Sequence, residues 1–251
     1  MRRRAWPARG RGQAVSRVID LARLGSGEQA DLAAAVAAAA LVCFPTDTVY
    51  GIGGIVAPAT AAAIARAKGR RADKPLQVVY PTLDLLLGAV ALSPAVAAAA
   101  RRLLPGPFTL LVPYPDGTEF PPPGAVAWPA GEDDRARGGV GAPVTVPTLG
   151  VRVPDWPSAA RALAGLPFPL LGSSANLSGG DDPCELSGVA PGVSAACDLL
   201  LDAGPTGGVS STVLDLSGLQ AGRGFRLLRA GAVGAAEIAA MLASEEGPAA
   251  L

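Results

Sequence analysis

The stretch Phe44-Pro-Thr-Asp-Thr-Val-Tyr-Gly51 decides how the rest of this chain reads. Leu41 to Phe44 is a short apolar run that stops at Pro45, the pattern of a buried strand entering a loop. The loop carries the hydroxyls of Thr46, Thr48 and Tyr50, and Gly51-Ile-Gly-Gly54 predicts a turn before Ile55 to Ala57. Two further segments have the same polar, glycine-punctuated character: Lys68-Gly-Arg70 and Ser173-Ser-Ala-Asn176. Together they supply hydroxyls, an amide and two cations at the ends of buried elements. That donor set suits an anionic ligand, with nucleotide phosphate the first candidate.

Outward from that stretch, helices and strands alternate. Gln29 to Ala40 is an Ala-rich helix that Ser26 could cap, and Thr60 could cap another running to Lys68. Leu76 to Tyr80 reads as a strand. Thr82 to Leu87 and Ser93 to Leu104 read as helices, the second with serine at its cap and proline at its first position. Strands are expected at Phe108 to Val112, Val151 to Val153, Pro169 to Gly172, Asp198 to Asp202, Ser211 to Leu216 and Phe225 to Leu228. Helices are expected near Ser158 to Ala164 and over Ala235 to Leu242. This alternation is that of an α/β sheet protein. Residues 1–24 read as a flexible basic segment, 25–243 as one α/β domain and 244–251 as a tail. The Pro- and Gly-rich stretch 113–147, with its charged patch Glu132-Asp-Asp-Arg-Ala-Arg137, reads as an irregular surface insertion.

Composition removes whole classes of chemistry. The chain has no histidine, which excludes Ser-His-Asp and Cys-His catalysis and histidine-ligated zinc. Lys+Arg and Asp+Glu balance at 21 each, so a basic coat over the whole surface is excluded while one local basic pocket is not. The first seventeen residues hold six arginines, read as a basic tail or a weak RNA-contacting arm. Cys43, Cys184 and Cys197 have no metal or redox spacing and read as buried small hydrophobes in a reduced, cytoplasmic compartment. No apolar run is long enough to span a membrane.

Taken singly, each polar segment has a plain reading. Lys68, Arg70, Arg71 and Lys74 could be the solvated end of a helix, where cations meet the negative end of the dipole, or a clamp for an anion. Gly172 to Gly179 could be a capped turn, or a loop whose hydroxyls and amide recognise ribose, phosphate or an amino acid. Neither the GxxxxGK[ST] phosphate loop nor the GxGxxG fingerprint is present.

The segments taken together resemble the YrdC/Sua5/TsaC family of threonylcarbamoyl-AMP synthases. The strings that carry the likeness are Pro45-Thr-Asp-Thr-Val-Tyr-Gly51, Lys68-Gly-Arg70 with Lys74-Pro-Leu76, and Pro105-Gly-Pro-Phe-Thr109. Val151-Arg-Val-Pro-Asp155, Ser174-Ala-Asn-Leu-Ser-Gly179, Ser211-Thr212 and Leu228-Arg-Ala-Gly231 follow in the family's order. The resemblance implies a twisted mixed sheet flanked by helices around a basic concave cavity. It implies a reaction in which L-threonine, bicarbonate and ATP, with Mg²⁺ on the triphosphate, give L-threonylcarbamoyladenylate and pyrophosphate. That product would feed N6-threonylcarbamoylation of adenosine 37 in tRNA through a downstream transferase machinery, with basic segments offering contact to tRNA.

On the same resemblance Lys68 and Arg70 are the catalytic pair, and Lys74, Thr109, Ser174, Asn176 and Arg229 attend the nucleotide. Thr46, Thr48, Tyr50 and Ser211 attend the threonine, and no protein-held metal is expected. Three positions depart from the pattern. Val79 and Trp156 stand where many relatives carry histidine, and Asp182-Pro183 replaces a serine-containing string. Two other readings keep the fold: an enzyme making a carbamoyl adenylate on another acceptor, and a non-catalytic nucleotide- or RNA-binding module.

Overall fold

Short β-rich runs punctuated by proline and glycine pair here into one mixed sheet of eleven strands, in the order β1-β9-β2-β3-β8-β4-β7-β5-β10-β11 with β6 against β7. The strands are β1 (Arg17–Asp20), β2 (Val42–Phe44), β3 (Gly51–Ile55), β4 (Gln77–Val79), β5 (Phe108–Pro113), β6 (Ala127–Trp128), β7 (Thr148–Arg152), β8 (Leu170–Ser174), β9 (Leu199–Asp202), β10 (Thr212–Asp215) and β11 (Arg226–Arg229). Helices α1 (Gln29–Ala38), α2 (Pro58–Ala67), α3 (Leu83–Ala89), α4 (Pro94–Leu103), α5 (Pro191–Ala196) and α6 (Ala235–Ala243) cover it. The computed structural model describes residues 16–25, 27–71, 74–114, 127–128 and 147–243.

Period-two alternation divides the sheet into two unlike faces. Val78, Leu110, Val112, Leu149, Val151, Leu171 and Leu214 point to one side and form the main core with α2 to α6. Their companions one residue along, among them Gln77, Val79, Thr109, Arg152, Gly172 and Val213, face the other side around an open hollow. A second core closes part of that side, packing α1 and the 3₁₀ segment Ser158–Gly165 over Val42, Phe44, Val79 and Leu170. Helix α4 shows why the main core forms: its buried residues Val96, Ala99, Ala100 and Leu103 lie on one face at helical spacing. Ser93 accepts a bond from the Val96 amide, and Arg101 and Arg102 sit at the favourable end of the dipole. Thr82 caps α3 in the same way through the Leu85 amide.

Several sequence expectations need correction. Gly51-Ile-Gly-Gly54 is not a turn but most of β3, antiparallel to both β2 and β8. The glycines serve close approach: a Cβ on Gly53 would lie 2.1 Å from the Leu171 carbonyl oxygen. Residues 1–24 are not wholly a flexible segment, because Arg17–Asp20 pairs in parallel with β9 and its Ile19 packs in the second core. Helix α2 begins at Pro58, so Thr60 is a buried residue inside it and not its cap. Cys43 and Cys197 are buried, with burial pushing the Cys197 thiol up to about 12, whereas Cys184 is exposed.

The expected basic tail over residues 1–15, the Ser26 cap, the Glu132 to Arg137 patch and the 244–251 tail lie outside the described residues. Of the expected insertion, Ala127–Trp128 is a two-residue strand paired with β7. No helix among the described residues is long and apolar enough to cross a membrane.

Candidate active site

The hollow on the polar face is a cavity of about 200 Å³. Its floor is the middle of β4, β5 and β8, where Gly172 leaves room that a side chain would fill: a Cβ there would meet Val79 at 3.3 Å and the Phe44 ring at 3.5 Å. Its walls are loops at strand ends. Arg70, Lys74, Arg152 and Arg229 all line it, and Asp182 is the one carboxylate on the lining among the described residues.

The loop from Phe44 to Gly51 is held by its own hydroxyls. Thr46 Oγ1 donates to the Val49 carbonyl at 2.7 Å and accepts from the amides of Thr48 and Val49. Arg152 then anchors the loop from the strand below. Its Nη2 donates to Thr46 Oγ1 at 3.2 Å and Thr48 Oγ1 at 2.6 Å, and forms an ion pair with Asp47. Arg152 is 3% exposed, and Asp47 reaches on to the Asp155 amide at 3.2 Å. A buried arginine needs such partners, since an uncompensated charge there costs several kcal/mol.

The Lys-Gly-Arg turn follows from how α2 ends. Gly69 takes φ +60, its amide bonds to the Arg66 carbonyl at 3.2 Å, and the Arg70 amide bonds to the Ala65 carbonyl at 3.0 Å. This left-handed cap reverses the chain between the two cations and sends them apart. Arg70 turns to the cavity, with Nη1 3.5 Å from Ser173 Oγ and Nη2 3.5 Å from the Lys74 carbonyl. Lys68 turns away from it, beneath the 174–176 loop. Its ammonium donates to the Ser174 carbonyl, to the Asn176 carbonyl at 2.7 Å and to Asn176 Oδ1 at 2.6 Å. Burial, followed by the neighbouring Arg70, lowers the Lys68 pKa to about 8.

On the opposite wall Thr109 Oγ1 donates to Gln77 Oε1 at 2.9 Å and lies 2.9 Å from Ser211 Oγ. Arg229 comes over the top, donating to the Ser211 carbonyl at 2.8 Å and to Ser211 Oγ at 3.1 Å. The Gly231 that follows is obligatory, because a Cβ there would lie 2.3 Å from the Ser210 carbonyl oxygen. Ser210 in turn donates to Asp182.

Of the residues singled out from sequence, Thr46, Tyr50, Arg70, Lys74, Thr109, Ser174, Ser211 and Arg229 border this one cavity. Lys68, Asn176 and Thr48 do not. Lys68 and Asn176 sit behind the wall, and Thr48 faces a neighbouring recess beside Asp47 and Asp155. Tyr50 borders the cavity with its hydroxyl directed elsewhere, donating to the Gly204 carbonyl at 2.8 Å. Sequence reading gave no role to Arg152, Gln77, Asp47 or Ser210. A signal existed for the first: an arginine inside the apolar run Leu149-Gly-Val-Arg-Val153 must be paired or functional. Val79 lies on the floor, and Trp156 is buried in the same apolar cluster with its indole N–H on the Pro81 carbonyl at 2.8 Å. Neither presents an ionisable group.

Comparison with known proteins places this geometry. Residues 34–231 match the model of the Sua5, YciO and YrdC family, described as "Telomere recombination". The chain belongs to that family. It is 33% identical over 177 residues to the threonylcarbamoyl-AMP synthase of Bacillus subtilis, covering 69% of this chain and 46% of that protein. The Xanthomonas axonopodis pv. citri threonylcarbamoyl-AMP synthase is 30% identical over 189 residues, 72% of this chain and 89% of its own. Among solved structures, Pyrococcus abyssi Sua5 complexed with L-threonine superposes with a TM-score of 0.67 at 28% identity, over 88% of this chain and 59% of that one. Escherichia coli YciO shares the fold, with a TM-score of 0.65 at 18% identity. The chain spans about half the length of the Bacillus and Pyrococcus relatives it matches, 46% and 47%. It has the mixed α/β fold of the Sua5/YciO/YrdC family and is similar in sequence to that family's threonylcarbamoyl-AMP synthases.

Proposed function

We propose that this chain adenylates a carbamate: L-threonine and bicarbonate form the carbamate with loss of water, and its oxygen attacks the α-phosphorus of ATP, releasing pyrophosphate. The product, L-threonylcarbamoyladenylate, would supply the carbamoyl group for N6-modification of adenosine 37 in tRNA by a separate transferase. The single observation that carries this reading is one cavity lined by four cations, Arg70, Lys74, Arg152 and Arg229, together with the hydroxyls of Thr46, Thr109, Ser174 and Ser211. Both reactants are anionic, so gathering them demands such charge in a partly dehydrated hollow.

The residues divide the work by geometry. Arg70 and Lys74, on one rim, are placed to hold phosphate oxygens. Arg229 and the Thr109–Ser211 hydroxyl pair, on the facing wall, orient the other end of the nucleotide. Arg152, already fixed by Asp47, offers its charge to a carboxylate or carbamate without reorganisation. No side-chain base is required, because the carbamate is itself anionic. Among the described residues no cluster of His, Cys, Asp or Glu could hold a metal ion. With Asp182 the one carboxylate on the lining among the described residues, Mg²⁺ would come with the triphosphate, where it would neutralise phosphate charge.

Pyrophosphate release from ATP, Mg²⁺ and bicarbonate, compared with L-threonine, other small amino acids and none, tests the reading. Strict threonine dependence supports it, and threonine-independent or absent release overturns it. A second reading, carbamoyl adenylation of another acceptor, is favoured by the apolar floor of Phe44 and Val79 and by Asp182 on the wall. Release stimulated more by a different amine than by threonine would select it.

A further inference from the structure

Lys68 and Arg70 stand two residues apart and carry the same charge, yet their surroundings differ in kind. Lys68 is 4% exposed and contributes nothing to the cavity lining. An ammonium group has three protons, and three oxygens of one loop accept them: the carbonyls of Ser174 and Asn176, and Asn176 Oδ1. The backbone repeats the tie, for the Ser178 amide donates to the Lys68 carbonyl at 3.0 Å. Both ends of the Asn176 side-chain amide are engaged as well. Its Oδ1 also accepts from Ser174 Oγ at 2.6 Å, and its Nδ2 donates to the Gly180 carbonyl at 2.6 Å. Arg70, in contrast, makes only 3.5 Å contacts among the described residues and leaves its Nε buried without a partner.

From this we infer that Lys68 is a positioning residue, a latch that pins the 174–180 loop to the end of α2 so that Ser174 faces the cavity, while Arg70 alone of the pair meets the ligand. The catalytic consequence rests on the function proposed above; the latch belongs to the ligand-free protein. A lysine suits the task because its three donors are compact and separately directed, whereas a guanidinium is a flat fork. The charged groups facing the ammonium are Arg70 and Lys74, which with burial favour loss of its proton, and Asp182, which opposes that loss. Opening the loop returns the ammonium to water, where its pKa is ordinary, so opening takes up a proton above about pH 8.

Hydrogen–deuterium exchange on the full-length, ligand-free protein reads this directly. Lys68→Met lowers the protection factors of the Ala175 and Ser178 amides about tenfold or more, as expected for loss of charge-assisted bonds, and Arg70→Met leaves them unchanged. In the wild type the same protection, corrected for intrinsic rate, rises above about pH 8, because opening the loop takes up a proton there. In Lys68→Arg, which keeps its charge over that range, it does not rise. Unchanged protection in Lys68→Met, with ATP affinity lost as fully as in Arg70→Met, overturns the latch and makes Lys68 a ligand contact. If Lys68→Met does not fold, the wild-type pH series decides: a flat or falling profile overturns the inference and a rise supports it. Absence of pyrophosphate release in every protein would sink the proposed function and leave the exchange result standing.

Discussion

The two faces of the same strands do opposite things. On β5, Leu110 and Val112 are wholly buried in the main core, while Thr109, between Phe108 and Leu110 in sequence, stands on the cavity wall. On β4 and β8 the split recurs, Val78 and Leu171 against Gln77 and Gly172. One face is closed by large apolar side chains, each contributing roughly 1.5–3 kcal/mol through burial. The other remains hollow because glycine, threonine and glutamine sit where leucine would have filled it. A single set of strands thus encodes stability and ligand space in alternate residues, and the two can be perturbed separately, except where a charge ties them together.

Arg152 is that exception and gives the largest expected effect. Arg152→Met removes a cavity cation and also strands Asp47 and two threonine hydroxyls. A loss of about 3–5 kcal/mol in chemical denaturation should accompany loss of activity; a variant as stable as the wild type would show that the faces are independent even here. Leu110→Ala, on the core face, should cost about 2–5 kcal/mol, with kcat/KM per folded molecule unchanged in the pyrophosphate assay.

Arg70→Met probes the cavity face alone. Activity should fall about 100-fold, with a denaturation midpoint equal to or above that of the wild type, since burial already depresses the Arg70 pKa and leaves its Nε unpartnered. The subtlest test is pH. Lys68 in the folded protein titrates near 8 against an ordinary 10.5, so between those values the unfolded chain holds more protons. Its contribution to global stability therefore rises with pH across that window. Wild type minus Lys68→Met in denaturation experiments should show this rise, in parallel with the protection of the 174–180 loop.

Much of this was legible beforehand. The cap of α4 was readable because a hydroxyl three residues before an amide it can reach is a local event, and the Thr82 cap of α3 follows the same rule. The polar segments each had a plain reading alone, and only their order along the chain, matching that of a known family, pointed to a shared site. Other features were hidden because they depend on what lies opposite. Gly51-Ile-Gly-Gly54 looked like a turn, and only the neighbouring backbone of β8 shows that its glycines buy close approach within a strand. Arg17–Asp20 looked like the end of a basic tail until β9 offered it a ladder.

By itself the sequence determined which chemistry was available: no imidazole, a set of hydroxyl-rich loops, and paired cations around a glycine. Those follow from residue identity and from local rules of helix ends and strand alternation. Only the tertiary structure decided how the cations were shared out, turning Lys68 into the fold and Arg70 into the cavity, and drawing Arg152 up from a buried strand to the Thr46–Thr48 loop. The physical reason is that a buried charge is defined by its partners, and those partners lie about a hundred residues away along the chain, beyond the reach of any local pattern.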